Sequence, residues 1–211
     1  MRIHLGLLTL LLLTHQAEAL SGTAEPQACL ACHNPSAQAA TNAPNLQGQA
    51  ASYLAKQLQH FKQGERGHQP NDALAAGMAI IAKGLSEHEI ETLAHYFSQQ
   101  LPTPSASATL SAENTSPATV DARLLDRGRR IYIGSCGACH GPKADGNPAL
   151  HSPSLHTLTP SYIERQLQLF VKGERGASAQ DKYGRQMAMM SRTLSPADAH
   201  AVAAYIGAGL P

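Results

Sequence analysis

From residue 53 onward, apolar residues recur three and four positions apart. Tyr53, Leu54, Leu58 and Phe61 fall on one helical face, as do Tyr162, Ile163, Leu167 and Phe170. Ser52 and Ser161 stand as candidate N-caps, and Gly64 and Gly173 as the residues that end these two helices. Ser86-x-x-Glu89 is a capping-box pattern, and Ser195-Pro196-x-Asp198 opens a helix with proline at its first position. Both lead into apolar-periodic segments that end near Phe97 and Ile206. A further helix is predicted over Arg123 to Ser135. No convincing alternating strand pattern occurs, so the predicted class is all-α.

The apolar run at the start has a different character. Arg2 precedes a nearly unbroken apolar stretch from Leu5 to Leu13, followed by the small-x-small site Ala17-Glu18-Ala19. This pattern predicts an export signal over residues 1–19, cleaved before Leu20. An uncleaved anchor is the competing reading, although the run is short for a membrane span. An exported chain is periplasmic in a bacterium of the kind the resemblance below implies.

The helical pattern is written twice. Residues 44–97 align with 153–206 at a constant offset: Ser52-Tyr53 with Ser161-Tyr162, Gln57-Leu58-Gln59 with Gln166-Leu167-Gln168, Phe61 with Phe170. Gly64-Glu65-Arg66-Gly67 returns as Gly173-Glu174-Arg175-Gly176, Met78 as Met187, and Leu85-Ser86 as Leu194-Ser195. Residues 100–120, rich in Ser, Thr, Pro and Ala, read as a linker. The predicted organisation is residues 20–99, the linker, and residues 121–211. Each copy is near the size at which a core alone stabilises weakly and a cofactor or staple is usual.

Composition sharpens that point. Among 211 residues there are three Phe, six Tyr and no Trp, so large flat apolar side chains are scarce. The net charge of +1 excludes a polybasic nucleic-acid binder. The length excludes a large multidomain enzyme.

The chemistry lies in Cys29-x-x-Cys32-His33 and Cys136-x-x-Cys139-His140. Four cysteines in an exported chain are compatible with disulfides, redox dithiols or part of a zinc site. The histidine directly after each second cysteine favours c-type haem attachment. Cysteines three apart on a helical turn face the same side and suit two thioethers to one haem, and the histidine is placed to bind its iron. A low-spin carrier then needs a sixth ligand, usually Met or His. Beyond the initiator, the Met residues are Met78, Met187, Met189 and Met190. Met78 and Met187 occupy the same place in the two copies and are the candidates; Met189 and Met190 read as packing against a haem edge. His60, His68, His151 and His156 are rival ligands, and none of them matches a His in the other copy.

These residues together, within the frame Pro-x-Leu…Ser-Tyr…Gln-Leu…Phe…Gly-Glu-Arg…Met…Leu-Ser…Tyr, resemble the dihaem cytochrome c4 family over nearly the whole mature chain. The resemblance implies two class I cytochrome c domains about a pseudo-twofold axis, each wrapped around a covalent haem, with the haem edges close to the interface. It implies that the carbonyls of Pro44 and Pro153 accept hydrogen bonds from His33 and His140. Arg66 and Arg175 read as solvated surface side chains, with a haem propionate as their alternative partner. Two departures stand out. The N-terminal helix of the first copy, Leu20 to Ala28, is short, and Asn34-Pro35 stands where the second copy has Gly141-Pro142.

The expected function is outer-sphere electron transfer between respiratory partners such as a terminal oxidase or a quinol-oxidising complex. The expectation includes no substrate of its own, no nucleic acid, and peripheral membrane association as an option. The alternatives are the haem subunit of a membrane dehydrogenase or oxidase complex, or a small dihaem oxidoreductase such as a thiosulfate dehydrogenase. Residues 20–97 carry four basic and six acidic side chains, and residues 121–211 carry eleven basic and seven acidic. That asymmetry predicts different partners for the two copies, or one partner held in a fixed orientation.

Overall fold

The structure, a computed structural model, describes residues 24–70, 72–102 and 121–210. The export signal and most of the linker lie outside the described residues. The first copy consists of α1 (Pro26–Leu30), α2 (Gln38–Thr41), α3 (Ala51–Lys62), α4 (Ala73–Lys83) and α5 (Glu87–Ser98). The second consists of α6 (Ala122–Ile131), a π-helical turn (Tyr132–Cys136), α7 (Gly137–His140), a 3-10 turn (Pro148–Leu150), α8 (Pro160–Val171), α9 (Lys182–Ser191) and α10 (Pro196–Gly207). Among the described residues the only β pairing is one isolated bridge, between Asn147 and Ser152.

Local chemistry explains most boundaries. Ser86 and Ser195 accept from the backbone N–H of Glu89 and Asp198, whose carboxylates reach back to the serine N–H, so both capping boxes form. Gly64 and Gly173 follow the ends of α3 and α8 with φ of +79° and +71°. The starts differ from expectation. Proline at the first position carries α8 back to Thr159, whose hydroxyl accepts from Tyr162 N–H, so Ser161 lies inside the helix. The N-cap of α3 is Ala50, without a side-chain cap, and Ser52 likewise lies inside.

The second copy has the larger core. Helix α10 packs on α6 and α8 and buries Ala199, Val202, Tyr205 and Ile206. Gly128 sits where α6 crosses α10: an added Cβ would collide with the Ala201 carbonyl and come within 2.7 Å of Tyr205 Cβ. Gly128→Ala must force the helices apart. We expect it to cost about 2 kcal/mol, seen as a fall of roughly 10 °C in the unfolding midpoint of a domain this size. In the first copy the described helix leading into the cysteine motif is the five-residue α1, which packs on α5; residues 20–23 of the expected short N-terminal helix lie outside the described residues. Its core is Leu54, Ile90, Leu93, Ala94 and Phe97, with Ala24, Cys29 and Leu30 packed at the edge.

The copies meet through α3, α8 and the two Gly-Glu-Arg loops. Lys56 Nζ lies 2.7 Å from Asp181 Oδ1, and Arg165 Nη1 lies 2.6 Å from Asp72 Oδ1. These are the same repeat positions taken from opposite sides, the reciprocity that an approximate twofold axis requires. Gln49 adds a two-way bond to the Ser154 backbone, donating to its carbonyl at 2.6 Å and accepting from its N–H at 3.0 Å.

Candidate haem sites

Each copy encloses an open, largely apolar cavity, of about 510 Å³ in the first and about 540 Å³ in the second. Cavities of this size take a large organic cofactor. Cys29, Cys32, His33 and Met78 all line the first. Cys136, Cys139, His140 and Met187 all line the second. The periodic helical faces supply the walls: Tyr53, Leu54, Leu58 and Phe61 on one side of the interface, Tyr162, Ile163, Leu167 and Phe170 on the other.

The cysteine motifs are built on tight helical turns. His33 N–H bonds the Cys29 carbonyl at 3.0 Å, which folds the histidine back beneath its cysteines. In the second copy α7 does the same work. It is preceded by the π-helical turn, in which buried Tyr132 donates to the Gly141 carbonyl at 2.6 Å. Burial pushes the Tyr132 phenol up to about 12. The turns after the two motifs do differ. Gly141 adopts φ +82°, whereas Asn34 holds its turn by side-chain bonds to the Leu30 carbonyl and the Ala37 N–H.

His33 Nδ1 lies 2.8 Å from the Pro44 carbonyl and His140 Nδ1 lies 2.9 Å from the Pro153 carbonyl. A carbonyl only accepts, so Nδ1 carries the proton and Nε2 is left as the metal-binding nitrogen. Burial pushes both imidazoles below the usual histidine range, against the raising effect of the proline carbonyls. Both rings are therefore held neutral, the form that binds iron. The four thiols are unpaired, which removes the disulfide reading. Among the described residues no group of three His, Cys, Asp or Glu side chains converges, so zinc finds no ligand set.

Helices α4 and α9, which carry Met78 and Met187, were not among the predicted elements. Their signal was at the ends: Asp72 and Asp181 at the start, and Gly84 just past the close of α4. Met189 and Met190 line the second cavity but are 61% and 45% exposed. Of the rival histidines, His151 alone lines a cavity, stacked on Tyr183 at 4.4 Å between ring centres. His60 is in the interface and lines neither cavity itself.

Arg66 and Arg175 are not solvated. They are 6% and 9% exposed, one in the wall of each cavity. Positive-φ glycines bracket each Glu-Arg pair and turn the arginine inward. The acceptors that reach the two guanidiniums are neutral. Arg66 donates to Gln57 at 2.6 Å and Gln166 at 3.2 Å. Arg175 donates to Gln166 at 2.7 Å, Gln57 at 3.0 Å and the Tyr53 hydroxyl at 3.1 Å. Arg66 Nε is buried with no hydrogen-bond partner among the described residues. Burial, and then the like charge of Arg175, hold Arg66 below the usual guanidinium range. Two adjacent buried cations with neutral partners favour an anionic group beside them. Tyr53, Gln57, Leu158 and Tyr162 line both cavities, so the two sites share a wall one side chain thick.

Comparison with known proteins agrees. The cytochrome c family model matches residues 22–100 and again 125–209. A cytochrome c4 from Azotobacter vinelandii is 31% identical over 95% of this chain and 97% of its own. A thiosulfate dehydrogenase electron acceptor from Thiomonas intermedia is 34% identical over 99% of this chain and 91% of its own. The crystal structure of reduced cytochrome c4 from Pseudomonas stutzeri superposes with a TM-score of 0.64 at 28% identity, covering 87% of this chain and 94% of that one. The two motif-bearing cavities, the reciprocal interface and these likenesses together place the chain in the cytochrome c family, as a dihaem electron carrier of the cytochrome c4 kind with two covalently attached haem c groups.

Proposed function

We propose that Cys29 and Cys32 hold the first haem, with His33 and Met78 as its axial ligands, and that Cys136 and Cys139 hold the second, with His140 and Met187. The observation behind this reading is that each cavity collects the cysteines, histidine and methionine of its own repeat. The haem supplies a one-electron couple at iron. The protein supplies the rest. The Pro44 and Pro153 carbonyls fix the imidazoles. Met78 and Met187 close the sixth position, so that electrons pass without bond making. Arg66 and Arg175 hold the propionates, and the shared wall brings the two sites within a short transfer distance. Residues 20–99 and 121–211 act as the two domains. Residues 1–19 direct export, so the working compartment is the periplasm.

The partners follow from the two outer faces. Lys182 and Arg185 on α9 and Arg192 at its end are exposed, as are Met189 and Met190 on the same helix, and α9 itself carries no acidic residue. The matching face of α4 shows Leu74, Ile80 and Ile81, with Lys83 as its only charge. The second domain thus suits a redox protein with carboxylates around its electron port, and the first a partner docking on apolar contact. A terminal oxidase or a quinol-oxidising complex fits this scheme. A thiosulfate-oxidising dehydrogenase is a second reading, favoured by the two relatives named as acceptors for such an enzyme, at 34% and 33% identity.

The test is the rate of electron exchange with an acidic redox protein in stopped flow. We expect the rate to fall with ionic strength. We expect Arg185→Glu with Arg192→Glu to slow it by on the order of tenfold at low salt while leaving both potentials in place. A rate indifferent to salt and to these substitutions refutes the proposed docking face.

A further inference from the structure

The interface breaks its own symmetry at one position. Leu169 in the second copy is 2% exposed and apolar; the matching residue in the first copy is His60, 8% exposed. His60 lies between two carboxylates. Its Nδ1 is 3.6 Å from Asp181 Oδ2, across the interface, and its Nε2 is 3.4 Å from Glu65 Oε2. Each carboxylate is held by its other oxygen. Asp181 Oδ1 accepts from Lys56 and from Gly184 N–H, and Glu65 Oε1 accepts from Ser178. The charged groups acting on the ring are thus Asp181 and Glu65, which favour its protonation, and Lys56 and Arg66, which oppose it. With a neutral ring, the cluster of Asp181, Glu65 and Lys56 carries one net negative charge; with a protonated ring it carries none. Asp181 and Lys56 also line the second cavity.

On the reading that the second cavity holds a haem, we infer that His60 is a proton-accepting residue coupled to reduction of that haem. Reduction takes up one electron from the donor and lowers the iron charge by one. That change favours a proton on His60, drawn from solvent, where the ring meets Asp181. Oxidation releases the electron to the acceptor and the proton to solvent. The His60 ring is held below the usual histidine range by burial, which outweighs the two carboxylates. The coupling therefore operates in mildly acidic solution, where the potential of the second haem rises as pH falls, and it levels off above neutrality.

The test is spectroelectrochemical titration of the whole dihaem protein across this pH range, for the wild type, His60→Leu and His60→Gln. The first variant copies the other half of the repeat, and the second keeps a polar group that does not titrate. The expected result is a pH-dependent second potential that becomes flat in both variants. Glu65→Gln should keep the dependence but move it to lower pH. A wild-type potential already flat across the range overturns the inference, as does a slope that persists in both His60 variants. The long-wavelength absorption band of Met-ligated ferric haem, recorded in the same samples, separates either failure from an error in the haem assignment.

Discussion

Replacing Cys136 and Cys139 together with alanine is expected to unfold the second domain. The reason is volume. Leu158, Tyr162, Ile163, Leu167, Val202 and Ile206 belong both to the hydrophobic core of that copy and to the wall of its cavity. Without the porphyrin, the core faces a void of about 540 Å³. At about 24 cal/mol per Å³ a void of that size corresponds to about 13 kcal/mol, as large as the whole stability of a typical domain at about 5–15 kcal/mol. Opening to solvent lowers the figure but leaves apolar walls in water. The expected product carries one haem by intact mass, loses about half of its helical circular dichroism, and exposes α6 to proteolysis. A double variant with one haem and undiminished helicity would show that the domain closes on itself, and the account of the core would be wrong.

The second large effect concerns the sixth ligand. Met78→Ala leaves Cys29, Cys32 and His33 in place, so the first haem stays attached. Its sixth position opens, because no other Met lines that cavity and no histidine other than His33 does. We expect the first haem to bind added imidazole, which the wild type excludes. We also expect its potential to fall by on the order of 100 mV, a fraction of the span of about 0.8 V that axial ligation controls. Thioether ligation favours the reduced iron, and its loss favours the oxidised form. The second haem should keep its ligands and shift little. In Met187→Ala the roles reverse, with one difference: His151, Met189 and Met190 also line the second cavity. Partial ligand replacement is therefore expected there and not in the first domain. Equal imidazole binding by wild type and Met78→Ala would remove Met78 from the coordination sphere.

How far the sequence carried the fold is clearest at particular residues. The wall helices α3 and α8 were legible because their buried faces follow a strict helical period, and their ends because Gly64 and Gly173 take the conformation that glycine tolerates best. The capping boxes at Ser86 and Ser195 were legible because a cap needs only neighbours in sequence. Ser52 and Ser161 misled for the same reason: proline at position 160 set the start of one helix, and a bare alanine at 50 began the other. Helices α4 and α9 were hidden because their buried positions are small residues, Ala75, Ala79 and Ala82 in α4 and Gly184 and Ser191 in α9, which carry little apolar signal. Arg66 and Arg175 were misread because their burial depends on the other copy. A charged loop in one repeat looks like surface until the twofold partner covers it. The same holds for His60, whose carboxylate neighbours come from both halves of the chain.

The shortage of Phe and Trp has a structural counterpart. Tyr53, Phe61, Phe97, Tyr162, Phe170 and Tyr183 line the cavities, with Arg66 over the Phe61 ring and Arg175 over Phe170. A planar cofactor completes what these few rings begin.

The central claim is that each cavity holds one haem ligated by the histidine and methionine of its own repeat. The most direct measurement is the intensity of the long-wavelength band of Met-ligated ferric haem, expressed per chain, in the wild type, the two single Met variants and the double variant. The account predicts two equivalents in the wild type, one in Met78→Ala, one or slightly more in Met187→Ala, where Met189 or Met190 can stand in, and no more than that small excess when both are replaced. A wild-type protein without the band, or a band of undiminished intensity after the double substitution, contradicts it.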